Sequence, residues 1–134
     1  MSLQEDNIAA TQQLFAAFGA GDIPAILSHC NDDIRIEFYG PDDIIPYAGM
    51  YDGMEGARTF FETVLSSVDI HVFDPLEFLS DKDKVIVTGV LHLTAKSTGR
   101  DIQSDFVHVI TMRDGKWLKF RDFMDTNQAV KAFS

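Results

Sequence analysis

Positive charge is scarce in this chain, cysteine nearly absent, and long apolar runs are missing altogether. Eleven Lys and Arg stand against 21 Asp and Glu, giving a formal net charge of −10. A surface so acidic repels phosphate backbones and anionic lipid, which argues against nucleic acid and membrane partners. The one cysteine, Cys30, excludes an internal disulfide and fits a reducing compartment. No apolar stretch approaches the ~20 residues of a membrane span. Met1 to Asp6 is polar and acidic, unlike a signal peptide. Together these features lead us to expect a cytoplasmic protein.

Phe is abundant, at 11 of 134 residues. That much aromatic surface must be buried in a core, a pocket or an interface. The length suits one domain over residues 1–134 with a core of its own.

Ser2-Leu3-Gln4-Glu5 has the form of a capping box, predicting a helix. Ile8, Thr11, Phe15 and Phe18 share one face of it, with Leu14 alongside. Gly19 and Gly21 end it, and Asp22 starts a short second helix. Asp32 to Tyr39 alternates as a strand, followed by a loop carrying Pro41, Pro46, Tyr47 and Tyr51. Asp52 caps a third helix, with Ala57, Phe60, Phe61, Val64 and Leu65 as its buried stripe. From Val68 the period becomes two. Strands are expected over Val68 to Ser80, with a bulge or an edge at Pro75, and over Val85 to Lys96. Two more follow, Ile102 to Arg113 and Lys116 to Asp125, joined by the hairpin signal Asp114-Gly115. A short helix ends the chain near Phe133. Helices first and a meander of long strands afterwards predict an α+β domain. Its curved antiparallel sheet is closed into a cone by the helices, around a hydrophobic pocket.

Strand parity places Ile102, Ser104, Phe106, His108, Ile110 and Met112 on one face of the next-to-last strand. Leu118, Phe120, Asp122 and Met124 share one face of the last. His108 and Asp122 are the ionisable groups on these two apolar faces. The hairpin sets His108 opposite about Arg121, with Asp122 as a near neighbour. A carboxylate among Phe and Met is costly to ionise, and beside an imidazole it can serve as half of an acid/base pair. The same two residues could instead satisfy each other in the core and only specify packing. The pocket residues expected around them are Phe15, Phe18, Phe38, Tyr47, Tyr51 and Phe61, with Phe106, Ile110, Phe120 and Met124 from the strands. The other histidines, His29, His71 and His92, fall at no compact ligand spacing. They read as scattered, so no metal and no cofactor are expected. His92 could face either side. Val107, Val109, Thr111, Trp117 and Phe123 form an outward stripe that asks for a partner.

The chain resembles the SnoaL-like family of the nuclear transport factor 2-like superfamily over nearly its whole length. The resemblance rests on Phe18-Gly19-Ala20-Gly21-Asp22 and on Ile45-Pro46-Tyr47-Ala48-Gly49-Met50-Tyr51-Asp52-Gly53 leading into Phe60-Phe61. It also rests on Phe106-Val107-His108-Val109, Asp114-Gly115-Lys116 and the run from Phe120 to Thr126. It implies a cone-shaped fold, a small apolar organic molecule as ligand, and a homodimer formed through the sheet face. Part of that apolar face would then be left to pack the terminal helix. Polyketide cyclases of the superfamily are similar in pairing a histidine with an aspartate acid/base at the positions of His108 and Asp122. Epoxide hydrolases also have an acid at Asp122, but their further Arg and Asp would fall on Val87 to His92, which has neither. The ketosteroid isomerase base would fall at Phe38 and its tyrosine at Leu14, so that chemistry is not implied. Three functions remain open: an acid/base enzyme of isomerase or cyclase type acting on a ketone-like or polyketide-like molecule, a non-catalytic binding domain, and an interaction module.

Overall fold

The structure, a computed structural model, describes residues 2–134. Met1, the first residue of the polar N-terminal segment, lies outside the described residues. Helix α1 (Leu3–Gly19) starts where the Ser2 hydroxyl accepts from the Glu5 amide at 3.1 Å. Asp22 caps α2 (Ile23–Ser28) in the same way, through the Ala25 amide. Then come β1 (Cys30–Phe38), β2 (Gly49–Asp52), α3 (Gly53–Ser67), β3 (Val68–Asp81), β4 (Lys84–Ala95), β5 (Asp101–Arg113), β6 (Lys116–Met124) and α4 (Thr126–Phe133).

The six strands form one sheet in the order β2-β1-β6-β5-β4-β3. Strands β3 to β6 are an antiparallel meander. The hairpin between β5 and β6 turns at Asp114 and Gly115, both with positive φ (54° and 76°), as a two-residue turn requires. Two features depart from the sequence reading. β1 runs parallel to β6, because a long connection returns the chain to the far edge of the meander. The stretch around Tyr51, expected as loop, forms the short strand β2 and covers β1.

Bulges curve the sheet and change which side chains share a face. One falls in β3 after Pro75, as anticipated there, on what is an edge strand. A second, unanticipated, sets His71 and Val72 together against His92. A third lies in β6. Thr111 pairs with Lys119 while Met112 pairs with Trp117, leaving Leu118 as the extra residue. Beyond this bulge the register moves by one, and His108 pairs with Asp122 rather than Arg121. The bulge also reverses parity, so Trp117, expected on the outer stripe, turns inward and is 1% exposed.

The meander offers its concave face to the helices. There Val85, Val87, Leu91 and Leu93 of β4 and Ile102, Phe106 and Ile110 of β5 meet Leu14, Phe18, Phe60 and Phe61 in one continuous core. The terminal helix is also placed differently from expectation. Rather than packing on the outer face, α4 closes the cone, with the Phe133 ring edge-on to Tyr47 at 5.7 Å. The β4–β5 turn anchors it, since the Thr98 hydroxyl and the Arg100 guanidinium donate to carbonyls of Ala132, Lys131 and Ser134.

Candidate active site

A cavity occupies the axis of the cone. Leu14, Phe15 and Phe18 line it from α1, and Phe60, Phe61 and Val64 from α3. The sheet contributes Phe38, Val68, Ile70, Phe73, Leu91, Leu93, His108, Trp117, Phe120, Asp122 and Met124, and Tyr47 comes from the connection before β2. The cavity volume is about 60 Å³. Phe15, Val64, Phe73 and Met124 of the lining are half-buried, and Ile70 is exposed.

Three lining residues are ionisable: Tyr47, His108 and Asp122. His108 is 2% exposed. Aromatic rings enclose it, with Phe106 at 4.5 Å, Phe120 at 4.7 Å, Phe15 at 5.6 Å and Phe73 at 5.9 Å between centroids. His108 Nε2 lies 3.2 Å from Asp122 Oδ1. The approach is off the direction of a hydrogen bond, and neither ring nitrogen has an aligned partner among the described residues. A buried imidazole in that state has unspent hydrogen-bonding capacity beside the cavity. The Asp122 side chain is 16% exposed and is the wetter member of the pair. Tyr47 is packed edge-on to Phe38 at 4.9 Å. Its burial, and secondarily the charge of Asp122, push the phenol well above the ordinary tyrosine range, so it stays protonated and its O–H is a neutral donor.

Of the expected pocket residues, Phe15, Phe18, Phe38, Tyr47, Phe61, Phe120 and Met124 line this cavity together with His108 and Asp122. Tyr51, Phe106 and Ile110 do not. Tyr51 pairs with Ile36 and packs on Phe60 at the side of the cone. Ile110 is fully buried in the core. Phe106 lies against Gly89 and backs the lining, stacked on Phe73 at 4.6 Å. Leu91 and Leu93 of the lining share the inward parity of β4 and could have been named from alternation. Trp117 could not, because no local signal marks the bulge at Leu118. Its indole donates to the Thr11 hydroxyl at 3.2 Å and so ties the cavity floor to α1.

On the opposite face, Val107, Val109 and Phe123 point outward, joined by Tyr39, whose ring stacks on Phe123 at 5.1 Å. His92 also lies on this face, beside His71. Among the described residues, no helix is long and apolar enough to cross a membrane.

No functionally curated protein matches the sequence. Solved structures do. An NTF2-like protein of Burkholderia xenovorans LB400 is 28% identical, with a TM-score of 0.88 and 97% of each chain covered. TerC, co-crystallized with polyporic acid, is 29% identical, with a TM-score of 0.83 over 96% of this chain and 98% of its own. A candidate polyketide cyclase of Xanthomonas campestris shares the fold at 17% identity, with a TM-score of 0.83 over 99% of this chain and 100% of its own. The SnoaL-like domain matches residues 11–120, a span that includes His108 and stops just before Asp122. With that match and a six-stranded cone closed by helices, the chain belongs to the SnoaL-like domain family.

Proposed function

We propose that the protein is an acid/base enzyme that moves a proton on a small, largely apolar carbonyl compound in the cone. The observation that carries this reading is the contact between His108 and Asp122 in a largely apolar cavity, with both ring nitrogens of His108 free of aligned partners among the described residues. Asp122 takes a proton from a carbon next to the carbonyl. The C–H electron pair moves into the carbonyl, and charge collects on its oxygen. His108 donates to that oxygen or orients the carboxyl group. Asp122 then returns the proton to another atom of the substrate, so the net change is an isomerisation or ring closure without oxidation. Tyr47 contributes a neutral donor on the same wall. TerC, a relative of matching fold, was crystallised with an organic acid, which supports a small organic guest.

Hydrogen–deuterium exchange at the α-carbon of phenylacetone, followed by NMR in D2O, tests the proposal. The protein should accelerate exchange, and Asp122→Asn should slow it by about 10²- to 10⁴-fold while the ketone still binds. Binding without accelerated exchange would instead make the cone a sequestering site.

We also propose that the outer face pairs two copies of the chain. Tyr39 and Val107 are exposed there, with Phe123 and Val109 half-buried beside them. Light scattering should give twice the chain mass, and Val109→Asp with Phe123→Asp should halve it. A wild-type monomer at high concentration would rule the pairing out.

A further inference from the structure

On the sheet face away from the cone, His71, His92 and Asp101 come together from three strands. The bulge in β3 sets His71 and Val72 against His92 of β4, which puts two imidazoles on one side with ring centroids 4.9 Å apart. Asp101 of β5 pairs with Thr94, two residues along β4 from His92 and on the same face. One ring nitrogen from each histidine and one carboxylate oxygen all lie within 4.8 Å of one another.

From this arrangement we infer a binding site for a divalent transition-metal cation of the zinc class. Two ligands about 2.0–2.1 Å from a tetrahedral zinc ion stand about 3.3 Å apart. His92 Nε2 and Asp101 Oδ2 are 3.3 Å apart. That nitrogen is buried and has no aligned hydrogen-bond partner among the described residues. Exposed His71 supplies the third ligand, and the solvent side leaves room for water as the fourth. Thr94 orients both outer ligands in advance. Its hydroxyl donates to Asp101 Oδ1 at 2.8 Å and lies 2.7 Å from His71 Nε2. His92 is the ion-pair partner of Asp101 among the described residues, and no Lys or Arg competes for the carboxylate. Imidazole nitrogens with one carboxylate suit Zn²⁺ over Ca²⁺ or Mg²⁺, which favour oxygen ligands. The ion would clamp the edge strand β3 to β4 and β5, on the face opposite His108 and Asp122.

The test is titration of the chelator-treated protein with ZnCl2 by calorimetry, with thermal melts at each zinc level. One zinc per chain should bind at micromolar concentration and raise Tm by several degrees. His92→Asn, His71→Asn and Asp101→Asn should each weaken binding more than tenfold and remove the shift in Tm. Thr94→Val should weaken it by about tenfold. His108→Asn should leave it unchanged. NMR of the histidine ring protons in the wild-type protein gives a readout that needs no variant. Zinc should shift the His71 and His92 signals and spare His29. Three results would overturn the inference: no binding up to millimolar zinc, binding indifferent to the His92 and Asp101 substitutions, or binding lost with His108→Asn.

Discussion

His108 and Asp122 are direct partners across the β5–β6 ladder, and their side chains meet at 3.2 Å on the cavity wall. One inserted residue sets that relationship. Without the bulge at Leu118, the turn at Asp114-Gly115 would place His108 opposite Arg121, whose side chain belongs to the outer face. The same insertion brings Trp117 into the lining, where it stacks on Phe120 at 4.7 Å beneath the His108 ring.

The first consequence concerns the Trp117 indole. It donates to buried Thr11, and the two residues join the sheet to α1. Trp117→Phe keeps most of the ring and removes the donor. It should lower stability by about 1–3 kcal/mol in urea denaturation, because it leaves the Thr11 hydroxyl one partner short. An unchanged midpoint would mean that the bond contributes nothing.

Gly89 gives a second test. It pairs with Phe106 on one side and Pro75 on the other. A Cβ added there would stand 2.3 Å from the Asp74 carbonyl oxygen and 2.5 Å from the Phe106 ring. The backbone oxygen cannot move aside as a side chain could. Gly89→Ala should cost about 1–3 kcal/mol and disturb the Phe73–Phe106 stack behind the cavity. A wild-type melting temperature for this variant would contradict the packing described.

Acid stability should depend on Glu37. The Tyr39 hydroxyl donates to its carboxylate and holds it below the usual range, and Lys119, Arg35 and Arg121 add to the effect against the opposing influence of burial. A carboxyl lowered in the folded state adds stability above its unfolded value of about 4.3. That stability is lost as pH falls through the lower folded value. Tyr39→Phe should therefore be less stable than wild type at pH 7, and the gap should close on acidification to about pH 2. An equal gap at both pH values would remove Glu37 from the account.

Cys30 is buried, and burial pushes its thiol up to about 12 despite the nearby positive charge of Lys116. The thiol stays protonated at neutral pH and should not react with Ellman's reagent until the protein unfolds. The sign is opposite to that of Glu37. Between about pH 8.5 and the raised folded value the unfolded chain ionises more readily, so this residue makes stability fall as pH rises. Rapid labelling of the native protein would contradict the burial.

Much of this molecule is legible in its sequence. Helix starts follow from Ser2 and Asp22, the β5–β6 turn from Asp114-Gly115, and the inward faces of β4 and β5 from strict alternation. These are local matters of capping, turn geometry and a period of two. The same parity puts His108 inside. The tertiary structure alone decided what depends on insertions and distant pairing. A bulge adds one residue to one strand, and no neighbouring residue announces it, yet every side chain beyond it changes face or partner. That is why Trp117 turns inward against its alternation, why His108 meets Asp122 directly, and why His71 and His92 stand side by side. The parallel pairing of β1 with β6 and the closure of the cone by α4 likewise join segments far apart in the chain. Periodicity describes a strand against its own axis, and only the assembled sheet fixes that strand against its neighbours.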